Sequence, residues 1–504
     1  MAVSLRHRWR LSIGMLLTLA ALILALIVAL SSRAITFAAV SIVQLSTDPY
    51  TNSTSQHKTE VEPDSFSFGS TIVAAIQSGR FTNGGSSNIG WATSTNNGAS
   101  WTNGFLPDTT TFATPSGSYD RVSDPSVAYD VKHSTWLISS LALKGTKGAA
   151  VIVNGSTNGG TAWNNAVNIH LATGTENLDK DWIVCDDTST SPFYGHCYVE
   201  WDNFGNGNLV QMSTSTDGGI TWSAPQTSAN SASVIGGQPL VQPNGTVIVP
   251  IDNANETTVL AFMSTNGGTT WSSTVTVASI TSHTDPGGIR SGPLPSAEID
   301  GSGKVYVVWE DCRFESGCSS NDIVMSTSTD GTHWSAVQRI PSDSVGSGVD
   351  HFIPGIAVDK STSGTSAHLV VAFYYYPNVN CSSSTCQLDI GYSSSTNGGT
   401  SWTSTTSIAG PITLSWLANT TQGRMVGDYI SASFNSTGTA FPVFAIATAP
   451  SPATNSCGRS GVTCDETLDT VSSGLTVLSG NNTLNNDQVL FTPQSTISTR
   501  YTTR

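Results

Sequence analysis

The sequence predicts an all-β fold built from repeated units, and three observations lead to that prediction. An octapeptide of the form Ser-x-Asp/Asn-x-Gly-x-x-Trp recurs six times. Its copies lie roughly 50–70 residues apart, a spacing typical of radial or stacked repeat folds. Only 11% of the 504 residues are charged, and Gly, Ser, Thr and Asn replace them, as on a turn-rich β surface. The copies are Ser94 to Trp101, Ser156 to Trp163, Ser215 to Trp222, Ser264 to Trp271, Ser328 to Trp334 and Ser395 to Trp402.

Each octapeptide predicts a tight hairpin turn. Its Asp or Asn side chain should accept a hydrogen bond from a backbone N–H two residues on, and its Gly supplies a positive φ. The Trp should pack between sheets. The fifth copy is one residue short, because Asp330 is followed by a single Gly. The residues in third place are Asn96, Asn158, Asp217, Asn266, Asp330 and Asn397.

The N-terminus predicts a segment separate from the repeats. Arg6, Arg8 and Arg10 precede an uncharged run from Leu11 to Leu30 that is long enough to cross a bilayer as a helix. Small residues around Ser32–Ala34 suit signal peptidase, whereas the length of the run suits an uncleaved anchor, so both alternatives stand. Residues 1–34 are therefore predicted to be a signal peptide or membrane anchor, residues 35–60 a linker, and residues 61–504 the repeat domain. Both alternatives place that domain outside the cytoplasm.

The charge and the cysteines limit the partners. A net charge of −15 argues against nucleic acid and against anionic lipid, so membrane contact is expected through the N-terminal segment alone. It also disfavours long-range attraction of an acidic substrate. We expect a monomer without cofactor or metal, because neither a phosphate loop nor a zinc motif is present. The eight cysteines fall into close pairs, which predicts four local disulfides and an oxidising compartment: Cys185/Cys197, Cys312/Cys318, Cys381/Cys386 and Cys457/Cys464.

The octapeptide resembles the Asp-box, or BNR, repeat of the sialidase (neuraminidase) superfamily. That resemblance implies a β-propeller with the box turns away from the mouth of the active site. Between boxes the chain repeats a polar or Pro-marked start followed by β-type runs, and there are seven such starts for six boxes. Seven blades are therefore favoured over six, with residues 40–45 supplying a strand of the last blade, while residues 451–482 read as a long surface loop. The starts are Glu62 to Asp64, Asp124-Pro125, Asp179 to Asp181, Gln238-Pro239, Arg290 to Pro295, His351 to Pro354 and Arg424 to Tyr429.

By the same resemblance, side chains at the unit starts would form the site. A sialidase holds the sugar carboxylate with three arginines, since guanidinium groups match carboxylates. It also uses a tyrosine nucleophile, sharpened by a glutamate, and an aspartate as acid/base. The family's Phe/Tyr-Arg-Ile-Pro motif has no match before the first box, where Gly79-Arg80-Phe81 lacks Ile-Pro. The residues so predicted are Arg121, Arg290 and Arg424 for the carboxylate, Tyr429 as nucleophile, Asp124 as acid/base, and Glu298 or Glu200 beside the tyrosine.

Two classes of function follow from these patterns. The first is an extracytoplasmic, exo-acting glycoside hydrolase of sialidase type, acting on a glycan or glycoconjugate. The second is a non-catalytic surface propeller that binds carbohydrate or protein. A glycosidase with two carboxyl groups is a further possibility, and it would need an Asp or Glu pair across the mouth.

Overall fold

The computed structural model of the protein describes residues 40–480. The chain divides into Met1–Val40 and Ser41–Arg504, and the fold below belongs to the second unit. The N-terminal helix, with its signal peptide or anchor, was expected in residues 1–34, which lie outside the described residues. No helix within residues 40–480 is long and apolar enough to cross a membrane.

Residues 40–480 are nearly all β, as the repeats predict. Strand β1 (Ile42–Gln44) pairs with a strand near the end of the described chain. The following strands form two antiparallel arrays joined by one bridge, between Ser86 and Val122. The first array contains β2 (Glu60–Phe68), β3 (Thr71–Arg80), β4 (Ser86–Ser94) and β5 (Thr102–Phe105). The second contains β6 (Arg121–Asp130), β7 (Thr135–Lys144), β8 (Lys147–Ser156) and β9 (Val167–Leu171).

The remaining strands form further antiparallel sheets in chain order. The third sheet contains β10 (Leu178–Cys185), β11 (Cys197–Asn203) and β12 (Leu209–Ser215). The fourth contains β13 (Val234–Ile235), β14 (Leu240–Val241), β15 (Val247–Asn253), β16 (Thr258–Ser264) and β17 (Val275–Ser279). The fifth contains β18 (Ser296–Ile299), β19 (Val305–Asp311), β20 (Asp322–Ser328) and β21 (Gln338–Arg339). The sixth contains β22 (His351–Val358), β23 (Leu369–Tyr375), β24 (Gln387–Ser395) and β25 (Thr406–Thr413).

A short hairpin precedes the last sheet. The hairpin contains β26 (Ala418–Thr420) and β27 (Gly423–Met425). The last sheet contains β28 (Ser431–Phe434), β29 (Thr439–Ala447), β30 (Glu466–Val471), β31 (Leu475–Thr476) and β1. The helical elements of residues 40–480 are three-residue 3₁₀ turns: Phe204–Asn206, Pro286–Gly288, Gly364–Ser366 and Leu414–Trp416.

The last sheet agrees with the sequence in one place and differs from it in another. Residues 42–44 form β1 and pair with β30, as expected for the strand that residues 40–45 supply to the last sheet. The expectation of a surface loop over residues 451–482 is wrong at β30, a fully buried strand between β29 and β1. Four of the six residues in Glu466–Val471 are polar, without the alternation that marks a strand, and that composition concealed the strand.

We call the strand that begins each array or sheet in chain order its first strand, and in the last sheet this is β28. Neighbouring first strands are linked by hydrogen bonds from backbone N–H groups to polar side chains. Val127 donates to Asp64 Oδ2 at 2.7 Å, and Ile356 donates to Ser296 Oγ at 3.2 Å. Ser65 donates in the same way to Ser431 Oγ at 3.0 Å, which connects β2 to β28. These bonds satisfy buried N–H groups that no ladder within a sheet reaches.

The six octapeptides form one recurrent turn. In the first, Ser94 Oγ donates to Asn96 Oδ1 at 2.9 Å and accepts from Gly98 N at 2.8 Å. Asn96 Oδ1 accepts from Ser100 N at 2.9 Å. The predicted acceptor is therefore correct, but in the full-length copies the donor lies four residues on. In the shortened fifth copy the donors are Thr332 and His333.

The tryptophans of the octapeptides pack in separate hydrophobic clusters, as predicted for one plug per sheet. Trp402 is 2% exposed among side chains of the fifth and sixth sheets, and its Nε1 donates to Gly399 O at 3.0 Å. The other five belong to five other clusters, and they are Trp101, Trp163, Trp222, Trp271 and Trp334. Each sheet junction therefore has its own apolar core.

All four disulfides are local, which confirms the predicted pairing: Cys185–Cys197, Cys312–Cys318, Cys381–Cys386 and Cys457–Cys464. No cysteine within residues 40–480 is free. Four disulfides are typical of a protein that folds outside the cytoplasm.

Candidate functional site

A repeated bulge in the first strands projects charged side chains toward one place. Glu62, Asp124, Lys180 and Ile353 have φ values of 58°, 49°, 53° and 51°. The pairing register of their strands shifts at the same points. Such a conformation is uncommon for residues other than glycine and costs about 1–3 kcal/mol, so it persists only where the surroundings enforce it. Three of the four bulge residues are charged, although they come from three different sheets.

These side chains surround Asp428, just before β28. Asp428 Oδ2 accepts short hydrogen bonds from Arg290 Nη2 and Lys180 Nζ. Lys180 Nζ also lies 3.7 Å from Glu62 Oε1 and 3.6 Å from Asp124 Oδ1. We call Glu62, Asp124, Lys180, Arg290 and Asp428 the charge hub. Lys180 is 8% exposed, so solvent screens these interactions weakly.

The hub sets the ionisation of its members. Burial, reinforced by the charges of Asp428 and Asp124, raises the pKa of Glu62 to about 8. Burial would also raise the pKa of Asp428, but Arg290 and Lys180 outweigh it and hold that pKa well below the usual range. Burial and the charge of Asp124 raise the pKa of Asp179 to about 6. Near neutral pH, Asp428 is thus an anion between two cations, whereas Glu62 is mostly a neutral acid.

A pocket opens beside the hub, where first strands of several sheets meet. An aromatic pair forms one side of it: the ring of Trp182 stands edge-on to Tyr429, with centroids 5.1 Å apart. Leu294 supplies apolar surface, and Gln238 supplies an amide. The full lining is Asp124, Lys180, Asp181, Trp182, Gly236, Gly237, Gln238, Leu294, Pro295, Ser296, Pro354, Asp428 and Tyr429. Such a mixture of aromatic, apolar and convergent polar groups is typical of small-molecule sites.

Asp181 stands where five of the seven unit starts have a proline, and the start before β28 also lacks one. The five prolines are Pro63, Pro125, Pro239, Pro295 and Pro354. The Asp181 side chain is buried, and neither carboxyl oxygen meets the geometry of a hydrogen bond within residues 40–480. Burial raises its pKa well above the usual range, and the nearby Ser139 hydroxyl opposes that rise only in part. Burial therefore favours the neutral acid form of Asp181, which belongs to the lining of the pocket.

Two of the predicted catalytic residues, Tyr429 and Asp124, line this pocket together. Tyr429 is 8% exposed, and its hydroxyl donates to the carbonyl of Pro125 at 3.3 Å. Burial, followed by the charges of Glu62 and Asp124, raises its pKa well above 10. Asp428 lines the same pocket although it is adjacent in sequence, because the segment before β28 does not alternate as a strand would.

The predicted arginines have different partners. Arg290 binds Asp428 in the hub. Arg121 Nη1 donates to Asn83 Oδ1 at 2.7 Å and Gly84 O at 2.8 Å, and its guanidinium lies over the Phe81 ring. Arg424 Nη1 donates to the carbonyls of Leu417 at 2.8 Å and Cys457 at 2.9 Å. Among the described residues these three guanidinium groups share no hydrogen-bond partner.

The Tyr429 hydroxyl is hydrogen-bonded to Pro125 and not to either of the two predicted glutamates. Glu298, on β18, accepts from Ile299 N at 3.0 Å and lies 3.9 Å from Lys360 Nζ. Glu200, on β11, is fully buried beneath Gly237, where a Cβ would approach the Glu200 carboxyl carbon to 2.9 Å. Glu200 therefore lies just under the pocket wall, with a pKa that burial raises well above its usual range.

Sequence reasoning missed the hub as a unit. In the sequence, Glu62, Lys180 and Asp428 occur at unit starts but have no predicted role. Arg80 has none either, because the motif around it lacks Ile-Pro. Arg80 is buried, donates to Gln77 Oε1 at 3.1 Å, and is close enough to Glu62, Arg290 and Asp428 for electrostatic interaction. The sequence signal that could have revealed the hub is that charged residues are rare in this chain yet recur at the unit starts.

Two histidine–aspartate groups have the spacing of metal ligands. In the first, His283, Asp285 and Asp350 bring ligand atoms within 4.8 Å, yet Asp350 already accepts from His283 and Asn321. In the second, Asp322, Asp343 and His351, both carboxylates are ion-paired with Arg339. The arginine supplies the positive charge there, so that group does not need a cation.

Comparisons with solved structures found distant matches below 20% identity. Among solved structures, a protein of unknown function from Dyadobacter fermentans is 15% identical, with 71% of this chain and 98% of that chain covered at a TM-score of 0.45. A mutant of the NanB sialidase from Streptococcus pneumoniae is 13% identical (88% and 72% covered, TM-score 0.41). An α-L-arabinanase from Penicillium chrysogenum, complexed with arabinobiose, is 16% identical (69% and 93% covered, TM-score 0.42). No curated protein matches the sequence.

The family model described as the BNR repeat-like domain matches residues 151–355. That segment contains four of the six octapeptides, from Ser156 to Trp334. Over residues 151–355 the chain is therefore similar to the BNR repeat-like family, which confirms the resemblance that the octapeptides predict.

Proposed function

We propose that this protein is an extracytoplasmic glycoside hydrolase, with its active site in the pocket that Asp124 and Asp181 line. In this proposal the sheets close into a seven-bladed propeller, and β1 completes the last blade beside β30. The hydrogen bonds between successive first strands, and the one between Ser65 and Ser431, support that arrangement.

The observation that carries the proposal is the buried, unpartnered carboxyl of Asp181. A buried polar group without a partner costs about 1–3 kcal/mol, and the repeat offers proline as the alternative at this place. A free-energy cost of this kind is typical of functional sites, where the unpaired group is available to bind a ligand. Hydroxyl groups of a sugar would give the Asp181 oxygens their missing partners.

The two carboxyl groups suit complementary roles. Burial raises the pKa of Asp181 well above its usual range, which favours the protonated form that can donate a proton to a glycosidic oxygen. Asp124 lines the same pocket, 3.6 Å from Lys180 Nζ, and we assign it the role of base or nucleophile. Two carboxyl groups that flank one bond are the pattern of glycosidases. Trp182 offers a ring face for sugar stacking.

Hydrolysis of a panel of chromogenic glycosides tests this assignment. We expect Asp124→Asn and Asp181→Asn each to lower kcat by about 10²–10⁴-fold, the usual contribution of a general acid or base. Asp252→Asn is the matched control, because Asp252 is equally buried with both oxygens unpartnered but does not line the pocket. Turnover that survives both pocket substitutions would refute the proposed roles.

A non-catalytic glycan-binding propeller is the second candidate. The observation that favours it is the internal neutralisation of Arg290 and Lys180 by Asp428, together with the raised pKa of Tyr429. Under this alternative, glycan arrays would show binding by the wild type with no hydrolysis of any bound glycan. Asp181→Asn would then weaken binding, whereas under the enzyme proposal it would retain binding and lose turnover.

The location belongs to the proposal as well. The four disulfides support an extracytoplasmic location. The proposal also makes the protein a monomer, with residues 1–34 as its signal peptide or membrane anchor. N-terminal sequencing of the protein from its native membrane or medium distinguishes a cleaved signal from an anchor. Light scattering of the purified protein tests the monomer.

A further inference from the structure

The pocket contains a position for an anion, and a side chain of the protein occupies it. Asp428 Oδ2 accepts hydrogen bonds from both Arg290 Nη2 and Lys180 Nζ. A guanidinium and an ammonium that converge on one oxygen are the donors that bind the carboxylate of a charged ligand. Here the carboxylate belongs to the chain.

The backbone holds Asp428 in that position. Val426 O accepts from Glu62 N at 3.0 Å, which ties the segment before β28 to the bulge in β2. Gly427 has φ of 154°, and a Cβ there would approach Glu62 Cα to 2.8 Å. On the other side, Arg290 N donates to Arg424 O at 2.6 Å. These contacts fix the backbone of Asp428 beside its two cations.

The surrounding charges leave no excess of positive charge for a second anion. The three cations near the pocket face four carboxyl groups: Lys180, Arg290 and Arg80 against Asp428, Asp124, Asp179 and Glu62. Asp124 is also exposed to the pocket, where it would repel an incoming carboxylate. A net charge of −15 for the whole chain adds to that repulsion at long range.

We infer that Asp428 fills the anion position of the pocket, so that the site takes uncharged sugars and excludes sugars bearing a carboxylate. The inference rests on the proposed carbohydrate function of the pocket. It makes Asp428 a specificity-determining residue, because it mimics within the chain the group that a sialic or uronic acid would present.

Removal of the Asp428 carboxylate should vacate the anion position. For Asp428→Ala we expect acetate to raise the melting temperature by about 2 °C or more, since a ligand of the native state stabilises it. Acetamide, and sodium chloride at equal ionic strength, should not do so. Wild type and Asp120→Ala should not respond to acetate, because Asp120 is a half-exposed aspartate paired with Lys144 outside the hub.

Two methyl glycosides that differ in one group test the specificity. By calorimetry, Asp428→Ala should bind methyl glucuronide at least tenfold more tightly than the wild type does, while methyl glucoside should show no such gain. If Asp428→Ala does not fold alone, it is refolded in acetate, and the isosteric Asp428→Asn is measured in its place. Recovery of folded Asp428→Ala with acetate but not with acetamide supports the inference. Failure of acetate to stabilise or rescue Asp428→Ala overturns it, as does tighter binding of glucuronide than glucoside by the wild type.

These binding measurements separate the inference from the proposed activity. Acetate binding by a protein that hydrolyses no glycoside would support the anion position while refuting the hydrolase. Hydrolysis of uncharged glycosides by the wild type, with no binding of acetate by Asp428→Ala, would support the hydrolase while refuting the anion position.

Discussion

At the residue scale, the octapeptide tryptophans differ in how much each stabilises its sheet junction. Trp402 is 2% exposed and hydrogen-bonded through Nε1, whereas Trp222 makes the similar bond to Gly219 O but is only half-buried. We expect Trp402→Ala to lower the free energy of unfolding by about 3–5 kcal/mol, as for other buried aromatic residues. Trp222→Ala should cost clearly less. Urea titrations measure both, and equal losses would show that burial does not decide the contribution.

Tyr429 allows a second prediction at this scale. Its hydroxyl donates to a backbone carbonyl, and its pKa lies well above 10, so it is poorly suited to attack as a phenolate. Tyr429→Phe should therefore cost about 1 kcal/mol from the lost hydrogen bond and leave turnover nearly unchanged. Tyr198→Phe is the control, because that hydroxyl is buried without a partner and its removal should cost nothing. A loss of turnover specific to Tyr429→Phe would restore the tyrosine as nucleophile.

At the element scale, the sequence predicted turns well and first strands poorly. The Ser-x-Asx-x-Gly turn depends on contacts within eight residues, so its hydrogen bonds follow from local chemistry. The bulges at Glu62, Asp124 and Lys180 depend on neighbouring sheets that enforce a positive φ. The local sequence therefore does not predict them. For that reason the pocket residues Tyr429 and Asp124 could be proposed from their unit starts, while the hub around Asp428 could not.

Glu60 links three elements and gives them a pH dependence. Its Oε2 accepts from Ser46 Oγ at 2.7 Å and from Leu468 N, on β30, at 3.0 Å. Burial raises its pKa from 4.5 to about 8. A raised carboxyl pKa means that the native state holds the proton more tightly than the unfolded chain does. Its contribution to stability is therefore complete below pH 4.5 and is lost as the pH rises to 8.

Glu60→Gln tests this dependence, because glutamine keeps the shape and cannot ionise. We expect the melting temperature of the wild type to fall relative to Glu60→Gln between pH 5 and 8, with at most about 1.4 kcal/mol lost per pH unit. Asp300→Asn serves as the control. Burial would raise the pKa of Asp300, but hydrogen bonds from Ser302, Gly364 and Lys304 lower it, so its contribution should not change over this range. Parallel wild-type and Glu60→Gln profiles would contradict the prediction.

At the scale of the whole molecule, buried carboxyl groups with raised pKa values recur in every part of the described chain. Asp64 and Asp187 have pKa values of about 7, and Asp48 about 6, each raised mainly by burial. Each contributes stability that is lost as the pH rises through its native pKa. Calorimetry should therefore find the highest melting temperature near pH 5 and a decline toward pH 9. A maximum at pH 8 or above would show that these groups are ionised in the native state.

The junction between the first array and the last sheet decides whether the molecule unfolds as one unit. Leu45, one residue beyond β1, is 1% exposed and packs with Ala74 and Ile76 on one side and Val443 and Leu468 on the other. We expect Leu45→Ala to lower the free energy of unfolding by about 2–5 kcal/mol, since it opens a cavity in that junction. If the sheets form a closed ring, calorimetry should still show one cooperative transition at a lower temperature. Leu171→Ala, at a half-exposed position on β9, should change stability by less than about 0.5 kcal/mol. A separate early transition in Leu45→Ala would mean that the last sheet unfolds independently, and the proposed ring would then be open at β1.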